Sequence, residues 1–175
     1  TKENTEDYGF VPTGSAEVGG TGTITVNPHY TFQTFVVGKQ NELAHAAAQA
    51  VAAQPGQAYN PLFIYGGVGL GKTHLLHAIA NEMRRRNQNV RILYVTCERF
   101  TNDFINAIRS GKGKEFKDRY RKYDVIILDD IQFFANKEKF QEELFHIFET
   151  FFQTNRQLVF SSDKHPNFIP GIEDR

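Results

Sequence analysis

The stretch NPLFIYGGVGLGKTHLLHAIANEM, residues 60–83, passes from an apolar run through four glycines and a lysine into a helical pattern. Within it, residues 66–73 read GGVGLGKT and satisfy the spacing G-x-x-x-x-G-K-[ST] in full. A strand before this spacing and a helix after it are the context in which it binds phosphate. The chemistry belongs mostly to the backbone. Small residues let successive N–H groups turn inward and approach an anion closely. A helix starting at about Gly71 aims the positive end of its dipole at the same place. Lys72 brings a cation to the β- and γ-phosphates, and Thr73 brings a hydroxyl to magnesium. The competing explanation is a glycine turn with an incidental lysine, which the flanking strand and helix patterns disfavour.

Working outward, the segments LFIYG, RILYVT, DVIILD and QLVFSS are continuous apolar runs, as strands buried on both faces are. The patterns place strands at 62–66, 91–96, 124–129 and 157–162. They place helices at 40–53, 71–86, 98–110, 114–122 and 136–153. Helices alternating with such strands imply right-handed crossovers and a parallel α/β sheet. In the last helix, Phe140, Leu144, Ile147, Phe148 and Phe151 fall on one face and read as core. Residues 1–28 are rich in Gly, Thr, Ser and Glu and hold little to bury, so a flexible linker or tail is expected there. A weak strand at 22–26 remains an option. The folded unit is expected from 29 to 175.

The chain has 175 residues, with 20 Lys+Arg against 20 Asp+Glu. Zero net charge gives no argument for a nucleic acid or a membrane, so any DNA contact must come from a local patch. One cysteine, Cys97, excludes an internal disulfide and suits a reducing compartment. No apolar run reaches the ~18–20 residues that span a bilayer, and a cytoplasmic protein is the default expectation. The chain opens on Thr and closes on Arg, as a fragment would. It holds sixteen Phe and no Trp, which composition alone does not explain.

Hydrolysis of a nucleotide needs a carboxylate near the phosphate loop to hold a metal. Asp129 and Asp130 follow four apolar residues at the C-terminal end of a strand, where ligands of open α/β sheets sit. Asp129 is assigned to orienting magnesium and Asp130 to polarising the attacking water. A solvated turn or helix cap is the alternative for such a pair. Asp163, after QLVFSS, fits two roles, γ-phosphate sensing or capping of the turn that follows. Residues 109–122 carry seven Lys/Arg against Glu115 and Asp118, a net of +5. Phe104, Phe116 and Tyr120 are interleaved and suit either base stacking or core packing. His74 and His77 stand at i, i+3 with no Cys or third ligand nearby, so a metal is not expected there. Cys97 reads as a buried small residue. Arg84, Arg85 and Arg86 read as a solvated helix end.

Taken together, GGVGLGKTHLLHAI, IILDDIQFFANKEKFQEELFHIF and LVFSSDKHPNFIPGIEDR resemble the bacterial replication-initiator family DnaA, which are AAA+ ATPases. NPHYTFQTFVVGKQNELAHAAA resembles the entry to that family's nucleotide-binding domain. The resemblance covers about residues 27–175. It implies an AAA+ P-loop core with a central parallel sheet in the order 5-1-4-3-2, binding ATP/ADP with Mg2+. On the matching positions it places Gly67, Gly69, Leu70, Gly71, Lys72, Thr73, His74 and Val37 around the nucleotide. It places Thr73 and Asp129 at the metal, and Lys72, Asp129, Asp130 and Asp163 in catalysis. Ile105 and Lys139 match strand-contacting positions for single-stranded origin DNA, and Arg175 an arginine at the subunit interface. The resemblance further implies ATP-dependent self-assembly into a filament, work with a replicative helicase, nucleoid association, and a phospholipid contact by the full-length protein. A second trans-acting arginine, the helical lid and the helix-turn-helix domain of the family are not in these 175 residues. Slow hydrolysis and no sequence-specific duplex binding are therefore expected of the chain alone. An AAA+ helicase loader and a non-hydrolysing regulatory module are the rival expectations.

Overall fold

The computed structural model describes residues 24–67, 71–136 and 138–164, the side chains at 134–140 and 143 excepted. The elements in chain order are α1 (Glu42–Ala53), β1 (Leu62–Tyr65), α2 (Lys72–Arg86), β2 (Ile92–Thr96) and α3 (Cys97–Arg109). They continue with α4 (Gly113–Tyr120), β3 (Val125–Asp129), a 3-10 turn (Ile131–Asn136), α5 (Glu138–Gln153) and β4 (Gln157–Ser162). The four strands form one parallel sheet in the order β1-β4-β3-β2. This is the run 1-4-3-2 of the expected order; no fifth strand lies among the described residues.

Alternation along the strands sends side chains to two separate cores. Ile92, Tyr94, Val125, Ile127 and Val159 face α1 and α2, where Leu75, Leu76, Ile79 and Met83 meet Val51 and Ala52. Leu93, Val95, Ile126, Leu128 and Leu158 face the opposite layer of α3, α4 and α5. The second core holds most of the phenylalanines that the structure describes. Phe100, Phe104, Phe116, Phe148, Phe151 and Phe160 are all in it, and Phe63, Phe133, Phe145 and Phe152 pack against it. Most of the rings meet edge-on or tilted, with centroids 4.3 Å apart for Phe116–Tyr120 and 4.8 Å for Phe100–Tyr120, while Phe100 and Phe148 stack at 6.1 Å. Such pairs favour offset and T-shaped contact. Phe104, Phe116 and Tyr120 are therefore core residues, 0%, 2% and 0% exposed, and do not present rings to a nucleic acid. The reason is local: Phe116 and Tyr120 lie one turn apart on α4 and point at Phe100 and Phe104, one turn apart on α3.

Helix α3 begins where the Thr96 hydroxyl accepts the Arg99 N–H at 3.2 Å, an N-cap directly after β2. The single helix expected over 136–153 is preceded by a 3-10 turn. Asp130 adopts φ 60°, and its carbonyl accepts the Phe133 N–H at 3.2 Å, which starts the tighter winding. At the C-terminal end of α2, Glu82 holds Arg85 and Arg86 at 2.6 and 2.9 Å. These two arginines are a solvated face, as expected. Arg84 is half-buried instead, and burial lowers its pKa.

Residues 24–27, on the tail side of the expected boundary at 28, lie against the sheet. The Ile24 N–H donates to the Tyr94 carbonyl at 2.9 Å, covering the outer edge of β2, and Val26 is 8% exposed. The Asn27 N–H donates to His77 Nδ1 at 3.0 Å, and Asn81 Nδ2 donates to the Asn27 and Tyr30 carbonyls at 2.9 and 2.8 Å.

Candidate nucleotide site

In a parallel sheet the strand C-termini share one end, and the order β1-β4-β3 sets their contents side by side. Gly66 follows β1, β4 ends in Ser161 and Ser162 with Asp163 beyond it, and β3 ends in Asp129 with Asp130 beyond it. The Gly66 N–H donates to the Ser162 carbonyl at 3.2 Å, which continues the ladder into the phosphate loop. Gly71 is the N-cap of α2, at φ 83° and ψ 22°. Only glycine takes that left-handed conformation without strain. The first turn of α2 leaves the amides of Lys72, Thr73 and His74 without acceptors inside the helix, an anion-seeking array. The Leu75 N–H, bonded to the Gly71 carbonyl at 3.0 Å, opens the regular helical ladder. The Lys72 ammonium donates to the Gly66 carbonyl across the loop, so it is already held at the loop's mouth. Thr73 is exposed and Gly67 is exposed. Gly69 and Leu70 lie outside the described residues.

Asp129 is half-buried. Burial raises its carboxyl pKa, and the charge of Asp130 adds to that. The Ser161 hydroxyl, the Asp130 amide and the Lys72 ammonium act in the opposite direction. Thus Lys72 and Asp129, 57 positions apart in sequence, feel one another across the strand ends. Asp130 is exposed, with Gln132 Nε2 donating to its Oδ1 at 3.3 Å. The solvated-turn alternative accounts for Asp130 alone but not for a half-buried Asp129 beside a lysine. Tyr94, on the neighbouring edge strand, turns to the same face. It is 2% exposed, and its hydroxyl has no hydrogen-bond partner among the described residues. Burial first, then Asp129 and Asp130, raise its pKa.

The donor set suits magnesium. Thr73 and Asp129 offer hard oxygens, and the buried Tyr94 hydroxyl is without a hydrogen-bond partner among the described residues. No group of three His, Cys, Asp or Glu side chains that could cage a metal occurs among the described residues. Asp163 is exposed at the end of β4. The Lys164 N–H is taken at 3.0 Å by Ser162 Oγ, and the turn that Asp163 would cap lies outside the described residues.

The entry segment closes one side of the site. Phe35 lies against Gly71, stacks on His45 with ring centroids 5.3 Å apart, and meets His74 edge-on at 5.2 Å. The His74 ring also stacks on Tyr30 at 4.9 Å, and its Nε2 bonds the Thr31 carbonyl at 2.7 Å. Any contact of His74 with a nucleotide is thus left to its backbone amide. Asn41 ties down the turn that follows: its Oδ1 accepts the Gly38 N–H at 2.7 Å and its Nδ2 donates to the Val36 carbonyl at 3.1 Å. Val36 and Val37 are left 84% and 49% exposed, an apolar step beside the loop.

The remaining sequence-predicted residues lie elsewhere. Ile105 is on α3 and only 9% exposed. Lys139 is in the first turn of α5. Arg175 lies outside the described residues. Cys97 is buried, its sulfur 3.8 Å from Thr101 Oγ1. Ser161 and Tyr94 were not anticipated; the signal available for Ser161 was a Ser-Ser-Asp ending on a buried strand.

A parallel sheet flanked by helices, a glycine loop leading into α2, and an acidic pair two strands away define a P-loop nucleotide-binding core of the AAA+ kind. The model of the bacterial DnaA ATPase domain matches residues 26–175, and the chain belongs to that family. The chromosomal replication initiator protein DnaA of Caldanaerobacter subterraneus subsp. tengcongensis is 57% identical over 151 residues, 86% of this chain and 34% of the relative. The chain thus spans about a third of the length of that curated relative. Domain III of the Thermotoga maritima replication initiation protein DnaA superposes with a TM-score of 0.79 at 46% identity, covering 83% of this chain and 61% of that one. A replication initiator DnaA bound to AMPPCP and single-stranded DNA superposes with a TM-score of 0.77 at 40% identity, covering 86% and 46%. No helix among the described residues is long and apolar enough to cross a membrane.

Proposed function

We propose that this chain is the ATP-binding and hydrolysing core of a chromosomal replication initiator, which assembles on origin DNA in an ATP-dependent way. The observation that carries the reading is the adjacency of the Lys72 loop and the half-buried Asp129 across β4. The loop amides from Gly67 to His74 take the phosphates. Lys72 exchanges its Gly66 carbonyl for β- and γ-phosphate oxygens, and Thr73 and Asp129 hold magnesium. When bound, magnesium neutralises charge developing on the transferred phosphoryl group. Asp130 orients the attacking water, and Asp163 senses the γ-phosphate from the end of β4. Val37 lies beside the base.

Contact with single-stranded DNA is supported by the relative solved with that ligand and by the exposed cations Arg109, Lys114, Arg121 and Lys122 around α4. Such contact is phosphate-directed and salt-dependent. The burial of Ile105 leaves it an edge rather than a face to offer a strand, with Lys139 as the cationic partner. Arg175 at a neighbour's nucleotide, work with a replicative helicase, nucleoid association and a phospholipid contact of the longer protein rest on the family resemblance alone. The family match does not favour a helicase loader or a purely regulatory module.

The test is nucleotide binding by Lys72→Ala. Loss of a charge-assisted contact of this kind lowers ATP affinity about 10–100-fold. Unchanged affinity would remove the site from the loop.

A further inference from the structure

We propose that Ser161 is a positioning residue for the nucleotide site, tying the Asp129 carboxylate and the Asp130 backbone to strand β4 with one hydroxyl; the inference deepens the nucleotide reading and rests on it. Ser161 is 1% exposed and belongs to β4, paired with Ile64 of β1. Its Oγ donates to Asp129 Oδ1 and accepts the Asp130 N–H at 3.0 Å. One side chain therefore uses its donor on one aspartate and a lone pair on the backbone of the next.

The second bond matters because of Asp130's conformation. Asp130 sits at φ 60°, the left-handed region, which is strained for an L-residue. The chain reverses there, so Asp129 turns inward to the strand ends and Asp130 outward to solvent. The Ser161 oxygen is the acceptor that holds the reversal in place. The first bond occupies Asp129 Oδ1 and leaves Oδ2 for the cation. Because Ser162 next to it accepts the Gly66 N–H, β4 sets the phosphate loop and the acidic pair in one register. Removing the hydroxyl takes one acceptor from the Asp130 N–H and the donor from Asp129 Oδ1, so the side chain of Asp129 is less firmly held.

Outer partners of metal ligands are worth about 10–100-fold in metal affinity. The experiment titrates MgCl2 against binding of a fluorescent ATP analogue in the full chain, for wild type, Ser161→Ala and Ser161→Thr. Ser161→Ala raises the magnesium midpoint about tenfold. Analogue affinity in EDTA stays as in wild type, and Ser161→Thr restores the midpoint. In the metal-free chain, Ser161→Ala also speeds exchange of the Asp130 amide. An unchanged midpoint, an equal loss with and without magnesium, or failure of the threonine to restore overturns the proposal. If Ser161→Ala does not fold, Ser161→Cys, a poor donor of similar size, is judged on the same criteria. A wild-type chain that binds no analogue at all overturns the nucleotide reading itself, whereas a magnesium-dependent wild type with an indifferent Ser161→Ala overturns only the role of Ser161.

Discussion

Phe35 and Gly71 are in direct contact: a Cβ placed on Gly71 would stand 2.7 Å from Phe35 Cε2. The ring has little room to retreat, since His45 stacks on it with planes 6° apart and His74 abuts its edge. The entry segment therefore fixes how closely anything approaches the first turn of α2 from that side.

Gly71→Ala is expected to lose on two counts, the positive φ and the Phe35 ring. The backbone strain alone costs about 1–2 kcal/mol. Phe35→Leu in the same chain relieves the contact but not the strain, so the double variant recovers only part of the loss. Chemical denaturation of the two single variants and the double variant checks this. Full recovery would show that φ at Gly71 is of no consequence.

Gly56→Ala is expected to be the more damaging glycine change for stability. Its added Cβ falls 2.0 Å from the Asn155 carbonyl oxygen, a backbone atom that cannot rotate away, and φ is +79°. The loss is about 2–3 kcal/mol, read from the unfolding midpoint. Gly38→Ala is the control, because nothing lies within 4 Å of its Cβ position. Equal midpoints for the two variants would contradict the packing described between the turn after α1 and the turn before β4.

The contact between Asn27 and His77 is expected to weaken in acid. His77 Nδ1 accepts the Asn27 N–H, so that nitrogen must be unprotonated. Burial, then the neighbouring His74, holds the His77 pKa below 6.5. Tyr30 and Tyr94 are the other groups facing the ring, at 5.3 and 5.1 Å. The unfolded chain takes up a proton near 6.5 and the folded chain does not. The contribution is therefore present above that pH and is lost as the pH falls from there through the folded value. The Asn27 amide should exchange faster at about pH 5.5 than at about pH 7.5, beyond the intrinsic pH effect, and His77→Phe should flatten the dependence of stability over that window. Parallel profiles for wild type and variant would contradict it.

The sequence made the phosphate loop and the strands legible for the same reason: their chemistry is contiguous. Glycines, lysine and threonine within eight positions carry their own meaning, and QLVFSS at 157–162 matches β4 end to end. Ser161 was not legible, because a lone hydroxyl gains its role from partners 31 and 32 residues away on another strand. Only the strand order, with β4 between β1 and β3, brings them together. The ring cluster of Phe104, Phe116 and Tyr120 was open to two readings, since spacing of one turn serves a core as well as a binding face; the facing helix decided it. The boundary near 28 rested on average composition, which conceals that Ile24 and Val26 alternate correctly to cover a sheet edge.

The place of β4 has a consequence for how the chain comes to be folded. Its strand is the last of the four to be made, yet among the described residues it is the sole sheet neighbour of β1. Until Gln157–Ser162 pairs with both, no strand among the described residues joins β1 to β3. The register that sets the glycine loop beside the acidic turn is therefore completed only by the last of these strands.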